Sequence, residues 1–204
     1  MATLTVQGSG VTDTLISGGS PTTNFGTATE MASGKFSTDV NRILVKFDIS
    51  SIPSGSTITS AIITLTYSSD NSLNARTGSV YRVKRAWVEA QATWNIYSTG
   101  NNWGTAGCAD TTNDREATDI GTWTHPASPT LGTSVDITLT ASSVQEMISG
   151  GSFTNNGFLL QVATEVDDQI SYDSTNSADT TERPKLVIIY TAPITANQSY
   201  AYFM

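Results

Sequence analysis

The chain of 204 residues carries 18 acidic and 10 basic side chains, for a formal charge of −8 and a pI near 4.4. Such a surface repels phosphate backbones and anionic bilayers, which argues against nucleic acid and membrane as partners. Cys108 is the only cysteine and His125 the only histidine, so there is no intrachain disulfide and no His/Cys cluster of the zinc or iron kind.

Taken in chain order, Met1 to Val6 has no basic segment followed by an apolar one, so no export signal is expected. A first strand is predicted over 4–8, and Gly18-Gly19-Ser20-Pro21 reads as a turn. Residues 41–49 alternate cleanly: Ile43, Val45, Phe47 and Ile49 point one way, and Arg42, Leu44, Lys46 and Asp48 the other. After the turn Ser51-Ile52-Pro53-Ser54-Gly55, the same period marks 61–67, and a further strand is predicted over 80–87. The stretch 97–131 is irregular and holds Trp103, Trp123, His125, Pro126 and Pro129. It reads as a functional loop or a lid, with the two tryptophans either in the core or forming a sugar platform. Beyond it come a strand over 135–139 and one short helix, capped by Thr140, with Val144, Met147 and Ile148 on one side and stopped by Gly150 and Gly151. Strands over 158–164, 169–173 and 186–191 complete an all-β pattern of at least eight strands. No apolar run approaches the roughly 18 residues needed to span a bilayer. One domain is expected over 1–191, followed by a C-terminal arm, 192–204.

Four blocks carry a resemblance: TNFGT (23–27), NRILVKFDISSIPSG (41–55), WVEAQATWN (87–95), and YDST (172–175) with ERPKLVIIY (182–190). In this order and spacing the chain resembles the DNRLRE-domain family, which is also classed as a carbohydrate-binding module family with members attached to alginate-degrading enzymes. The resemblance covers roughly 10–191. It implies a jelly-roll-type antiparallel β-sandwich, an extracellular or surface-exposed setting and a non-catalytic role. A family-like domain standing alone without a signal is also similar to phage virion proteins, which reach the outside by lysis.

Chemistry is sparse. His125 precedes Pro126 in a loop and no Gly-x-Ser-x-Gly elbow accompanies it, so it is expected to be a surface imidazole rather than a triad member. Glu165, Asp167 and Asp168 read as a solvated turn rather than a glycosidase pair. No cofactor is required; Ca²⁺ is the one ion the oxygen-rich stretch 173–179 could hold, although it lacks the EF-hand pattern. Two surfaces are candidates for binding. Arg42 and Lys46 share one strand face and Arg82 and Lys84 another; were those strands neighbours, the four would form a basic stripe for an anionic polysaccharide. Tyr200, Tyr202 and Phe203 in the arm could pair with a neighbouring subunit. The leading expectation is therefore a non-catalytic virion surface protein, a capsid decoration or tail-fibre component that self-associates and contacts other virion proteins. The alternative is a carbohydrate-binding module for an anionic glycan.

Overall fold

The computed structural model describes residues 1–71, 74–165 and 168–194. In chain order its strands are β1 (Ala2–Gln7), β2 (Val11–Ser17), β3 (Glu30–Phe36), β4 (Asp39–Phe47), β5 (Thr57–Asn71), β6 (Arg76–Arg82), β7 (Ile96–Ser98) and β8 (Asn101–Asn102). They continue with β9 (Gly121–His125), β10 (Ser134–Leu139), β11 (Phe158–Val162), β12 (Asp168–Asp173) and β13 (Lys185–Thr191). Among the described residues the one α-helix, α1 (Ala141–Gln145), lies between β10 and β11, and the one 3₁₀ turn, Gly8–Gly10, joins β1 to β2.

Every pairing is antiparallel. One layer runs β1-β13-β5-β10. The other runs β12-β3-β4-β11-β6-β9, with β2 on the free side of β4. The 15-residue β5 belongs to both: Thr57 to Thr64 pairs with β13, and its far end, Tyr67 to Asn71, pairs with β12 across a bulge. The sheet thus curls on itself into an all-β sandwich with one short helix, as expected.

The core follows from the period of two. Ile43, Val45 and Phe47 of β4 meet Ile63 and Leu65 of β5 and Leu186 and Ile188 of β13 between the layers. Each such side chain, fully removed from water, contributes about 2 kcal/mol. Gly78 of β6 leaves the space in which the Trp123 ring sits, and Trp123 Nε1 donates to the Tyr172 hydroxyl at 2.8 Å. Val144, Met147 and Ile148 bring α1 and its following turn onto the same core, and Gly150, at φ +84°, reverses the chain behind them.

The opposite face of β4 is buried as well. Leu44, with Ile16 of β2 and Leu159 of β11, forms a second apolar cluster with Val83, Trp87, Ala92, Trp103 and Cys108. The long segment 83–117 is therefore a lid on the outer face of the sheet, which is why Trp87 and Trp103 are buried and Trp94 partly so. Buried Asp114 organises the lid, accepting from the backbone N–H groups of Gly104, Thr105 and Asp110.

Candidate functional site

Three loops converge at one end of the sandwich: the Gly8–Gly10 turn, the β4–β5 connection and the segment linking α1 to β11. They enclose an open groove of about 640 Å³, within the range of ligand sites. Its apolar floor is Ile49, Met147, Ile148 and Phe153. Buried Arg82 lies 4.2 Å from the centroid of the Phe153 ring and so fixes that ring from the protein side. Thr12 and Lys46, cross-strand partners on β2 and β4, stand on one wall. Asn155 is locked on another, donating to the Phe47 carbonyl at 2.9 Å and accepting from Gly157 N at 3.2 Å.

Lys46 is the cation of the groove, and among the described residues it has neither an ion pair nor a hydrogen bond. Asp48 stands two residues on; hydrogen bonds from Ser50, with Lys46 a minor contributor, hold its carboxyl below the usual carboxylate range. The groove thus carries one positive and one negative charge. The hydroxyls of Ser9, Ser149, Ser152 and Thr154 complete its lining. This is a concave site with an aromatic ring in its floor, many hydroxyls and one charge of each sign, suited to a ligand rich in hydroxyl groups and apolar C–H faces.

Across the Gly8–Gly10 turn lies a second groove of about 630 Å³, lined by Asn24, Glu89, Thr175, Asn176 and Arg183 among others. Asp13 is buried nearby on β2. Its carboxylate accepts from Thr175 N at 2.8 Å and Thr175 Oγ1 at 3.2 Å, while its own N–H donates to Glu89 Oε1. Burial raises its pKa to about 7 against the hydrogen bonds from Thr175, with Glu89 adding to the rise and Arg183 opposing it.

The four basic residues singled out from the sequence do not form one stripe. β11 separates β4 from β6, and through the register Val45, Phe158 and Arg82 stand side by side. Arg82 therefore shares the inner face, whereas Arg42, one residue out of phase with Val45 and Ile43, points outward beneath the lid. Arg42 is bidentate to Glu165 at 2.7 and 3.0 Å, donates to the Gly107 carbonyl and stacks on Trp94. Arg82 bridges Glu116 and Glu146 and donates to the Ser143 carbonyl. Lys84 is tied to the carbonyls of Thr111 and Thr112. Of the four, Lys46 is the one that lines the first groove. Tyr200, Tyr202 and Phe203, like Asp167, lie outside the described residues.

Other expectations are revised by burial. Trp103 and Trp123 are core residues, 5% and 4% exposed, so neither is a platform for a sugar ring. His125 is fully buried at the end of β9 rather than on the surface. Glu165 and Asp168 are ion-paired, to Arg42 and Arg76, rather than solvated, and Asp168 is buried. Cys108 is fully buried, and desolvation pushes its thiol well above the ordinary range. In the loop where calcium was considered, Ser174 Oγ donates to the Ala28 carbonyl, and Asp179 Oδ1 accepts from both Thr181 N and Thr181 Oγ1. Among the described residues no group of three or more His, Cys, Asp or Glu side chains converges on one point.

Residues 5–97 match the model of carbohydrate-binding module family 96. The match spans less than half of the chain, from β1 into β7, and includes Ser9, Lys46 and Asp48 of the first groove and Asn24 and Glu89 of the second. It supports the carbohydrate-binding side of the resemblance, and such modules are binding rather than catalytic units. No curated protein matches the chain. The family-96 match leaves the remaining walls of both grooves, 147–155 and 175–183, to the unmatched part of the sequence.

Proposed function

We propose that this protein is a non-catalytic glycan-binding module whose binding site is the groove between the Gly8–Gly10 turn, the β4–β5 connection and the α1–β11 segment. The observation that carries the reading is the juxtaposition of Phe153, unpaired Lys46 and a hydroxyl-rich wall in one groove, within a chain that matches a carbohydrate-binding module family. The preferred glycan is uncharged. Arg42 and Arg82 are neutralised internally, Asp48 balances Lys46, and a chain of charge −8 gains nothing from a polyuronate.

Affinity electrophoresis against glucan, mannan and xylan gels, beside alginate and pectate gels, tests this. The protein is expected to be retarded by at least one neutral polysaccharide, with no loss in high salt because no net charge is being screened. Ser152→Trp, at an exposed position on the groove wall, is expected to abolish the retardation without a change in melting temperature, and Lys46→Ala to weaken it about tenfold, the worth of one charge-assisted hydrogen bond. Retardation by alginate alone, lost in salt, would restore the anionic specificity; none in any gel would reject glycan binding.

A virion-surface setting is the second reading, supported by the aromatic sequence Tyr200-Ala201-Tyr202-Phe203 beyond the last strand. It is compatible with glycan binding. It predicts that light scattering finds an oligomer for the full chain and a monomer for one ending at Tyr190; a monomer for both would remove the arm as a subunit contact.

A further inference from the structure

The two grooves are nearly equal in volume, about 640 and about 630 Å³, and Ser9 lines both. The Gly8-Ser9-Gly10 turn stands between them, with Gly10 lining the first groove and Gly8 the second. Gly8, at φ +67°, faces open space: a Cβ there would meet no atom within 4 Å. The ridge therefore carries nothing larger than the hydroxymethyl group of exposed Ser9. The charges are matched as well. The first groove is lined by Lys46 and Asp48, and the second by Arg183 and Glu89, so each holds one charge of either sign. Asn24 and Asn176 fix the wall of the second groove through bonds to the Glu89, Ala92 and Gly26 carbonyls, so it is shaped by backbone contacts and needs no ligand to form.

We propose that the two grooves are consecutive subsites of one path, and that the ligand is the interior of an uncharged polysaccharide chain passing over Ser9, rather than a chain end or a disaccharide. This deepens the glycan reading of the first groove and rests on it. The chemistry is that of a chain: a low ridge lets a continuous backbone cross, balanced charges in both grooves suit a ligand without charge, and two rigid sites on one rigid support reward a ligand that fills both. Once one stretch of the chain is held, the second groove is filled at high effective concentration, so affinity rises steeply with length.

Titration calorimetry with size-fractionated β-1,4-glucan and β-1,4-mannan oligomers, from disaccharide to octasaccharide, tests the proposal. Affinity is expected to rise about 100-fold from the shortest bound oligomer to the longest. Ala90→Trp and, independently, Thr27→Trp would fill the second groove; both positions are exposed, and neither side chain makes a hydrogen bond among the described residues. Each is expected to remove the gain with length while leaving binding of the shortest ligand unchanged, whereas Ser152→Trp removes both. An affinity independent of length, or a gain that survives Ala90→Trp and Thr27→Trp, would overturn the shared path and leave the first groove standing. Absence of binding to every oligomer by the unaltered protein would overturn both.

Discussion

Replacing Asp114 with alanine is expected to destabilise the protein by about 3 kcal/mol, because three hydrogen bonds from part-buried backbone N–H groups of the lid are lost at once. Asp114 is fully buried. Oδ1 accepts from Gly104 N at 2.8 Å, and Oδ2 from Thr105 N at 3.0 Å and Asp110 N at 3.2 Å. Arg85 stands 3.7 Å away, partly exposed, and adds little by comparison. Each such bond contributes about 1 kcal/mol net, and methyl replacement supplies no substitute. Urea denaturation measures the loss directly. Reactivity supplies a second readout. Cys108 lies under the same lid, and its Sγ sits 3.8 Å from the Asp114 carbonyl oxygen. A lid loosened by Asp114→Ala exposes that thiol to a thiol reagent, whereas the unaltered protein reacts only on global unfolding. A loss below about 1 kcal/mol with Cys108 still protected would show that the lid is held by its apolar cluster alone.

The second large effect is one of pH. Asp13 moves from an ordinary 3.8 to about 7 on folding. Between these values the folded state holds a proton that the unfolded chain has released, so stability falls as pH rises. The contribution is fully present below pH 3.8 and gone above about 7. The difference of roughly three units is about 4 kcal/mol. The carboxylates of Asp48, Asp110 and Asp179 are shifted downward by hydrogen bonds and act in the opposite sense, but only below their unfolded value of 3.8, outside this window. Asp13→Asn keeps an acceptor for Thr175 N and offers a donor to Thr175 Oγ1, with no ionisable group. It is expected to flatten the pH dependence of stability between pH 4 and 7, as measured by denaturant midpoints, and to be the more stable form at pH 7.5. An unchanged slope in Asp13→Asn would assign the pH dependence elsewhere.

Much of the fold was legible because alternation is a direct image of burial. The phase of β4 was read correctly to the residue, and so was the buried side of α1 and its turn; Thr140 takes the N-cap position without a side-chain cap bond, and the helix ends at Gln145, ahead of Gly150 and Gly151. What escaped were strands whose pattern is blurred. In β2 both faces are buried, so Val-Thr-Asp-Thr-Leu-Ile-Ser shows no clean alternation. β3 contains Ala-Ser-Gly, too small to mark a face, and β9 is five residues long and followed directly by Pro126. The site was far less legible. Whether Arg42 and Arg82 share a surface depends on the strand between their own, and β11 enters from more than 70 residues further along the chain. Lys46 was singled out, but the wall it faces, 147–155, reads locally as nothing more than a helix stop. The Asp13 contacts to Glu89 and Thr175 span 76 and 162 residues and leave no local trace in the sequence.

The central claim is that the groove beside Lys46 holds the glycan. Backbone amide shift mapping by NMR, with the neutral polysaccharide fragment that binds, tests it most directly. The expected result is that perturbed amides cluster at 9–12, 46–50 and 147–155, extending to 24–27 and 175–176 as the fragment lengthens, and that Ser152→Trp removes them. Perturbations centred instead on the exposed Phe36 at the β3–β4 hairpin, or on the outer surface of the 83–117 lid, would contradict it.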